Sequence, residues 1–444
     1  MRAALFLILA SFLAAPPIEG PWQGTLTVPG GSLRIVFHLS STSGKLSAKM
    51  DSPDQGAFGI PVDEVALEGT TVRIAIARLG FTYSGTLNEA GNEISGTMKQ
   101  NGAELSLNLR KLDKEPEPPK RPQEPHPPLA YREEEVTFRN AKANIELAGT
   151  LTIPKTSGPH AAAILITGSG PQDRDEALAG HKPFLVLADH LTRNGIAVLR
   201  YDDRGFAKSK GDFNTATTED FAADAAAAFD FLKTRKEIDP KRIGLIGHSE
   251  GGVVAPMVAN REPGVAFVVL MAGTAVPGDQ VIFAQTRAIT KAMGAPAGAV
   301  EQQIKTQQET YAAIREEKNP QAPAKRLEAV ESLPPVAVKQ ALSPWFRYFI
   351  SYDPATALEK LKVPVLALNG DLDLQVLPDQ NLPVMEAALK KSGNRDVTIH
   401  RMPGLNHLFQ TAKTGSPTEY VQIEETIAPA ALEAISDWIR KHTE

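Results

Sequence analysis

The chain has 444 residues, a net charge of −5 and no cysteine, and 42% of its residues are hydrophobic. This length exceeds one typical hydrophobic core, so we expect two globular units. The slightly negative charge, without a dense Lys/Arg stripe, argues against nucleic acid as a partner. The absence of cysteine excludes thiolate sites and disulfides, and the spacing of the histidines predicts no metal site.

The N-terminal residues have the pattern of a secretory signal peptide. Arg2 precedes an apolar run over residues 3–15, which Pro16 and Pro17 end. This run is too short to cross a bilayer about 30 Å thick, but it suits the hydrophobic region of a signal peptide. We therefore expect export to the periplasm or the medium and no stable membrane span. An uncleaved anchor or a buried N-terminal strand is the alternative.

Residues 20–112 are predicted to form a small all-β domain. Hydrophobic residues occur at every second position in three stretches, residues 33–39, 72–76 and 105–109. This period is typical of half-buried strands, and it favours an antiparallel meander, sandwich or small barrel. The domain contains no recognisable catalytic set, and its sequence identifies no partner.

Residues 113–130 are predicted to be a linker. Seven prolines lie among charged residues in this stretch. Proline disfavours both helix and central strand, so we expect a stiff, extended spacer.

From residue 131 onward, apolar strands alternate with helices. A hairpin over residues 135–153 is expected to precede buried strands, which are predicted at residues 161–166, 196–201, 243–246, 265–271, 363–368 and 397–400. Thr217 and Asp220 predict the start of a helix between two of them. Continuous apolar strands separated by helices indicate a mostly parallel sheet that is covered on both faces.

Residues 277–354 interrupt this alternation. The stretch is helical in character, is rich in Gln, Glu and Lys, and carries an aromatic cluster at Trp345, Phe346, Tyr348 and Phe349. Its late position in the sheet predicts a helical cap over an active site.

The strongest chemical signal is the segment Gly247-His248-Ser249-Glu250-Gly251-Gly252. It follows a predicted strand and precedes a helix-like stretch. A Gly-x-Ser-x-Gly segment in a strand–turn–helix is typical of a strained turn that exposes a nucleophilic serine. Ser249 is therefore the predicted nucleophile, and a plain glycine-rich turn is the alternative.

A serine hydroxyl needs a base to remove its proton, and in this arrangement the chain order is serine, acid, histidine. Three histidines lie late enough in the chain. His400 belongs to a predicted strand and His442 to the C-terminal tail, whereas His407 lies in a loop after the last strand. His407 is therefore the predicted base.

The acid is expected directly after the strand at residues 363–368. Asp371 and Asp373 are both candidates there, and the frame Gly370-x-x-Asp373-x-x-Val376 favours Asp373. Its carboxylate would orient His407 and stabilise the imidazolium. Asp371 would then be a turn residue.

Two backbone amides are needed to stabilise an oxyanion. One is expected from Glu250, directly after the nucleophile. The other is expected from the glycine-containing loop over residues 167–174, where Ser169 or Gly170 is the candidate donor. This loop lacks the glycine spacing of phosphate-binding loops.

Four segments together resemble the bacterial α/β-hydrolase esterases, close to those grouped with serine aminopeptidases. The segments are Gly168-Ser169-Gly170-Pro171-Gln172-Asp173-Arg174-Asp175, Tyr201-Asp202-Asp203-Arg204-Gly205-Phe206, the Ser249 segment and Asn406-His407-Leu408-Phe409. The resemblance covers residues 131–444 and implies hydrolysis of small-molecule acyl esters without a cofactor. Thr167-Gly168 stands where many relatives carry His-Gly. The β domain resembles an accessory module that is often fused to such enzymes.

Two other functions remain open at the level of sequence. The same triad would serve a serine aminopeptidase, with Glu250 and the cap recognising the free α-amine of a short peptide. Alternatively, the β domain would bind cell-envelope glycan or lipid, and the hydrolase unit would be vestigial.

Overall fold

The computed structural model describes residues 18–28, 31–55, 57–100, 103–115, 117, 119–316 and 341–444. The chain divides into two units, residues 1–118 and residues 119–444. The predicted signal peptide, residues 1–15, lies outside the described residues.

The first unit is a single antiparallel sheet. Its strands are β1 (Gly20–Val28), β2 (Gly31–Thr42), β3 (Lys45–Ser52), β4 (Ala57–Pro61), β5 (Glu64–Glu68), β6 (Thr71–Ile76), β7 (Phe81–Leu87), β8 (Glu93–Gln100), β9 (Ala103–Ser106) and β10 (Leu109–Lys111). The spatial order is β4-β3-β2-β1-β10-β8-β7-β6-β5, and β9 pairs with β8. Large side chains such as Trp22, Phe37 and Ile74 are buried in its core. The predicted all-β domain is thus confirmed.

One predicted stretch of alternation, residues 105–109, does not form a single strand. β9 ends at Ser106 and β10 begins at Leu109. Between them, the Asn108 side-chain oxygen accepts the backbone N–H of Gly96 at 3.2 Å. A side chain therefore takes the place of a backbone acceptor, and the strand is interrupted although Leu107 and Leu109 remain buried.

The second part of the predicted linker, from residue 119 onward, belongs to the second unit and is hydrogen-bonded within it. The Arg121 guanidinium donates to the carbonyl oxygens of Val421, Ile423 and Gly180 at 2.8, 3.0 and 2.9 Å. The Gln123 side chain donates to the Ile427 carbonyl at 2.7 Å. Backbone acceptors of the second unit thereby hold this segment.

The second unit contains a mixed sheet of eight strands. The strands are β11 (Arg132–Asn140), β12 (Ile145–Ile153), β13 (His160–Ile166), β14 (Ala197–Tyr201), β15 (Ile238–His248), β16 (Val268–Met271), β17 (Val365–Gly370) and β18 (Val397–Met402). The order is β11-β12-β14-β13-β15-β16-β17-β18. The β11–β12 hairpin is antiparallel, and the six strands from β14 to β18 in this order are parallel.

Helices cover both faces of this sheet. The described helices of this unit are α1 (Pro183–Arg193), α2 (Thr218–Lys233), α3 (Gly251–Ala259), α4 (Gly278–Ala292), α5 (Ala297–Glu316), α6 (Pro344–Phe349), α7 (Ala355–Leu358), α8 (Pro378–Lys391) and α9 (Pro429–Thr443), of which α4, α5 and α6 belong to the cap. Successive residues of β13 point to opposite faces, since Ile164 joins the core under α2 and α3, while Leu165 joins the core under α1 and α9. The predicted mostly parallel, doubly covered sheet is confirmed.

Helix α2 begins where the sequence predicts. The Asp220 carboxylate accepts the backbone N–H of Thr217 at 3.0 Å, which satisfies one of the free donors at a helix N-terminus.

The predicted cap is helical in its described part. Helices α4, α5 and α6 lie between β16 and β17 in the chain, and Tyr311, Ile314, Phe346 and Ile350 form their own apolar cluster. Residues 317–340 of the predicted cap lie outside the described residues. Of the helices that the structure describes, none has the length and apolar character needed to cross a membrane.

Candidate active site

Ser249 lies in the sharp turn between β15 and α3. Its φ of 53° is in the left-handed region, which a non-glycine residue adopts only under strain. A Cβ atom at Gly247 would clash with the carbonyl of Gly251, and one at Gly251 would clash with the carbonyl of Ile166. Only glycine fits at these two positions, so the flanking residues are dictated by the turn that presents the serine.

His407 and Asp373 lie in the loops that follow β18 and β17. The His407 Nδ1 and the Asp373 Oδ2 are 2.8 Å apart, and both side chains are buried. The other carboxylate oxygen accepts the backbone N–H groups of Gln375 and Val376, each at 2.8 Å. Asn369 donates to Oδ2 at 3.0 Å. The carboxylate is thus fixed in place, and with Nδ1 bonded to it, Nε2 remains available to exchange a proton.

Ser249 and His407 line the same cavity, which has a volume of about 680 Å³. Within the described residues, no hydrogen bond joins the two side chains. Hydrogen bonds of this kind are often long in substrate-free enzymes and shorten when substrate binds.

The alternative acid, Asp371, and the two other late histidines, His400 and His442, do not take part in the Asp373–His407 contact. Asp371 accepts the backbone N–H of Gly404 at 2.6 Å and so supports the loop that leads to His407. His400 is exposed on β18, and His442 contacts Asp396 at 3.1 Å.

The candidate oxyanion donors differ in position. The Glu250 amide directly precedes α3, where the helix dipole favours negative charge. Ser169 lines the cavity, whereas Gly170, with a φ of 96°, is not among the described lining residues. The neighbouring Gly168 amide already donates to Glu176 Oε1 at 2.7 Å.

Buried acidic residues hold the loop that carries Ser169. Asp203 accepts from the Thr167 hydroxyl at 2.9 Å and from the Gln172 backbone N–H at 2.8 Å. Burial raises the pKa of Asp203 well above its usual range. Asp202 forms a buried ion pair with Arg174 at 2.8 Å. Two of the sequence segments, residues 168–175 and residues 201–206, are therefore partners in one structure.

A buried pair that the sequence analysis missed, His248 and Glu176, connects three loops of the site. The His248 Nδ1 is 2.9 Å from Glu176 Oε1, and its Nε2 is 3.0 Å from the backbone carbonyl of His407. Because a carbonyl oxygen only accepts, Nε2 must carry a proton. Burial alone would lower the pKa of His248, but the Glu176 carboxylate raises it above its ordinary value.

The Glu250 side chain joins the cap to the catalytic loops. The Trp345 indole N–H lies 2.9 Å from each carboxylate oxygen, and the Thr218 hydroxyl donates to Oε1 at 2.7 Å. The Ser169 side chain is a further hydrogen-bond partner, and burial raises the pKa of Glu250. The sequence predicts Trp345 only as part of an aromatic cluster in the cap, and it does not single out Thr218. Their contacts with Glu250 have no local sequence signal.

Comparison with known proteins identifies the family. A family described as "Serine aminopeptidase, S33" matches residues 182–411, which include Ser249, Asp373 and His407. Esterase EstD of Thermotoga maritima is 31% identical over 317 residues, which are 71% of this chain and 69% of EstD. The chain belongs to this family.

Membership confirms the resemblance to α/β-hydrolase-fold esterases, and the chain is a carboxylesterase-like serine hydrolase. Among solved structures, the Pyrococcus furiosus esterase Pf2001 is similar over 71% of this chain and 95% of its own, with 15% identity and a TM-score of 0.44. The α/β-hydrolase GrgF from Penicillium sp. sh18 is similar over 70% of this chain and 99% of its own, with 17% identity and a TM-score of 0.47.

Proposed function

We propose that the protein is an exported carboxylesterase that cleaves small acyl esters through a covalent acyl-enzyme. Ser249 is the nucleophile, His407 the general base and Asp373 the residue that orients it. The observation that carries the proposal is the 2.8 Å contact between Asp373 and His407 beside the cavity that Ser249 lines. Export rests on the apolar segment at residues 3–15.

The first half of the reaction forms the acyl-enzyme. His407 Nε2 takes the hydroxyl proton of Ser249 as the oxygen attacks the ester carbonyl. The carbonyl oxygen becomes negative and accepts the N–H of Glu250 and that of Ser169 or Gly170. Asp373 stabilises the resulting imidazolium, which then gives its proton to the departing alcohol.

The second half repeats these steps with water. His407 removes a proton from the water, and the hydroxide attacks the acyl carbon bound to Ser249. The imidazolium returns the proton to the serine oxygen, and the carboxylic acid is released. During both halves, His248 holds the His407 backbone through its carbonyl oxygen.

An aminopeptidase is the second candidate, because the matching family is described as serine aminopeptidases. In that case, Glu250 would bind the free α-amine of a peptide. However, the side chains of Trp345, Thr218 and Ser169 already form hydrogen bonds with its carboxylate, and burial raises its pKa. The carboxylate is thus already paired within the protein, so ester cleavage is the better-supported function.

The test of the triad uses the Ser249→Ala variant with p-nitrophenyl acetate as substrate. We expect turnover to fall by about 10⁶-fold and labelling by a fluorophosphonate probe to disappear. Ser351→Ala, at an exposed serine, is the matched control and should retain both properties. Native turnover in the Ser249→Ala protein would refute the proposal, and an unlabelled wild-type serine would favour the vestigial binding protein.

Two further measurements decide the remaining alternatives. Wild-type rates on p-nitrophenyl acetate and on alanine p-nitroanilide compare esterase with aminopeptidase, and faster anilide cleavage would favour the peptidase. The N-terminal sequence of protein recovered outside the cytoplasm tests export, and an intact Met1 would contradict cleavage of the predicted signal peptide.

A further inference from the structure

We propose that the ester which this enzyme cleaves is uncharged and carries several hydroxyl groups, as an acylated sugar or a sugar-acid ester does. This inference rests on the proposed esterase function and names the substrate class of the same site. The hydroxyl groups would be bound by polar groups of the cavity, on the cap helix α5 and in the loops after β13 and β16.

The cap helices turn a polar face to the cavity. On α4, the lining residues Val281, Ile282, Gln285, Thr286, Ile289 and Thr290 recur at spacings of three and four, and therefore lie on one face. On α5, the same spacing gives Gln303, Thr306, Gln307, Thr310 and Tyr311. A helix face turned towards the protein is ordinarily apolar. Here most of its residues are Gln or Thr.

This polar wall carries no charge. The charged residues of the two helices pair elsewhere, as in the exposed Arg287–Glu301 contact at 3.0 Å. Among the described lining residues there is no Lys or Arg, so an anionic substrate would have no counter-ion there. Each of the two lining carboxylates has a partner within the protein, since the Oε1 oxygen of Glu176 contacts His248 and Glu250 accepts from Trp345. The cavity is therefore suited to a neutral molecule.

Three buried polar atoms that belong to lining residues have no partner within the described part of the chain. They are the Thr274 hydroxyl oxygen, Gln307 Oε1 and Glu176 Oε2. Thr274 and Glu176 are only 3% and 2% exposed. Gln307 uses its Nε2 to donate to the Thr286 hydroxyl at 3.1 Å, so its oxygen remains free to accept.

These free atoms specify a type of ligand. Gln307 Oε1 and Glu176 Oε2 are acceptors, and a buried acceptor needs a donor. A simple alkyl ester has no donor, whereas each hydroxyl group of a substrate supplies one. A site of this kind discriminates strongly against an analogue that lacks the hydroxyl group, since its own polar groups are then left unpaired.

An aromatic surface completes the site. Trp345 and Phe349 both line the cavity, and their rings are stacked with centroids 5.3 Å apart. Flat aromatic rings provide apolar contact area to the carbon-bound face of a ring-shaped substrate. The cavity thus combines this apolar wall with the Gln/Thr wall of α4 and α5.

The experiment compares esters that match in shape and differ in hydroxyl groups. One pair is methyl glucoside 6-acetate and cyclohexylmethyl acetate, in which the hydroxyls belong to the alcohol. The other is methyl gluconate and methyl hexanoate, in which they belong to the acyl group. We expect kcat/KM to favour the hydroxylated member of at least one pair by about tenfold or more. The pair that shows the preference identifies which side of the ester the cap binds.

Two variants test whether the unpaired polar atoms of the cavity cause the preference for hydroxylated esters. Gln307→Leu should reduce the ratio of the two kcat/KM values about tenfold, and Thr274→Val should reduce it in the same direction. Gln308→Leu changes the next residue of the same helix, which is exposed and not among the described lining residues, so the ratio should stay at the wild-type value.

The outcomes separate the two proposals. Hydrolysis of p-nitrophenyl acetate with no hydroxyl preference in either pair would overturn the substrate class and leave the esterase proposal intact. A Gln307→Leu ratio equal to that of Gln308→Leu would also overturn it. Faster cleavage of an amino-acyl ester than of every hydroxylated ester would show that the free acceptors bind an amine. If the wild-type protein does not hydrolyse p-nitrophenyl acetate at all, the proposed esterase function itself is contradicted.

Discussion

The two walls of the cavity differ in how their polar groups are paired. On the catalytic wall, which carries Ser249 and His407, the side chains of His248 and Glu250 each contact at least two partners within the protein, as does Asp373 behind His407. On the cap wall, Gln307 of α5 has a buried oxygen without a partner in the described residues. The Thr274 hydroxyl and Glu176 Oε2, in the loops after β16 and β13, are likewise unpaired there. Groups that stabilise developing charge act best when the protein holds them in advance. Groups that recognise a substrate must remain free to bind it, and these unpaired atoms are the ones that our proposal assigns to substrate recognition.

After removal of the nucleophile, the next largest expected effect tests the acid of the proposed triad. Asp373→Asn should lower kcat by about 10⁴-fold, because an amide in that position favours the wrong tautomer of His407. The measurement is kcat on p-nitrophenyl acetate. Asp371→Asn is the matched control, since among the described residues its carboxylate accepts only from the Gly404 amide of the supporting loop, and its effect should be far smaller. Equal losses in both variants would remove the distinction between the two acids.

A smaller effect is expected from the pair behind the catalytic residues. Glu176→Gln should lower kcat by about 10- to 100-fold with little change in KM, because the loop of His407 is then less well positioned. Removal of the carboxylate lowers the pKa of His248, so the ring loses its proton at a lower pH. A neutral imidazole ring donates a hydrogen bond through only one of its two nitrogens, whereas a protonated ring donates through both.

The pH profile distinguishes this positioning role from a general loss of structure. The deficit of the Glu176→Gln variant should vary with pH, because the His248 ring loses its proton at a lower pH in the variant than in the wild type. Glu386→Gln, at an exposed glutamate of α8, should match the wild type at every pH. A deficit that is independent of pH would argue against the protonated His248.

The contact between the two walls should contribute less. Trp345→Phe keeps an aromatic ring but removes the donor to Glu250, and we expect kcat/KM to fall by about tenfold, the cost of one hydrogen bond to a buried charged group. Trp438→Phe removes an indole donor to Thr398 at a remote position and serves as the control for the chemical change. Identical kinetics of the two variants would show that the cap does not depend on Glu250.

The smallest effect concerns stability. Because the folded protein raises the pKa of Glu250 above 4.5, ionisation costs more in the folded chain than in the unfolded chain. This cost is absent below the unfolded pKa and develops as pH rises towards and beyond the folded pKa. Glu250→Gln should therefore become more stable relative to the wild type as the pH rises from about 4 to about 8. Urea unfolding at both pH values measures it, and a constant difference would contradict the direction of the pKa shift.

Local sequence patterns determined the larger part of the architecture. The period-two alternation predicted the strands at residues 33–39 and 72–76, and continuous apolar runs predicted the parallel sheet, because burial on one or both faces of a sheet leaves a regular pattern in the sequence. The glycines around Ser249 could be interpreted for the same reason, since the turn leaves no room for a Cβ atom. The signal peptide at residues 1–15 stays a prediction from the sequence.

Only the tertiary structure decided which side chains meet. His248 contacts a carboxylate 72 positions away, and Trp345 contacts one 95 positions away. Asp371 and Asp373 lie two positions apart in one loop, yet one contacts Gly404 and the other His407. Likewise, the Gln and Thr residues of α4 and α5 look like an ordinary solvated surface until both helices face one cavity. Contacts between residues that are distant in the chain depend on how helices, strands and loops pack together. This packing produces no periodic pattern in the sequence, so the sequence alone does not reveal such contacts.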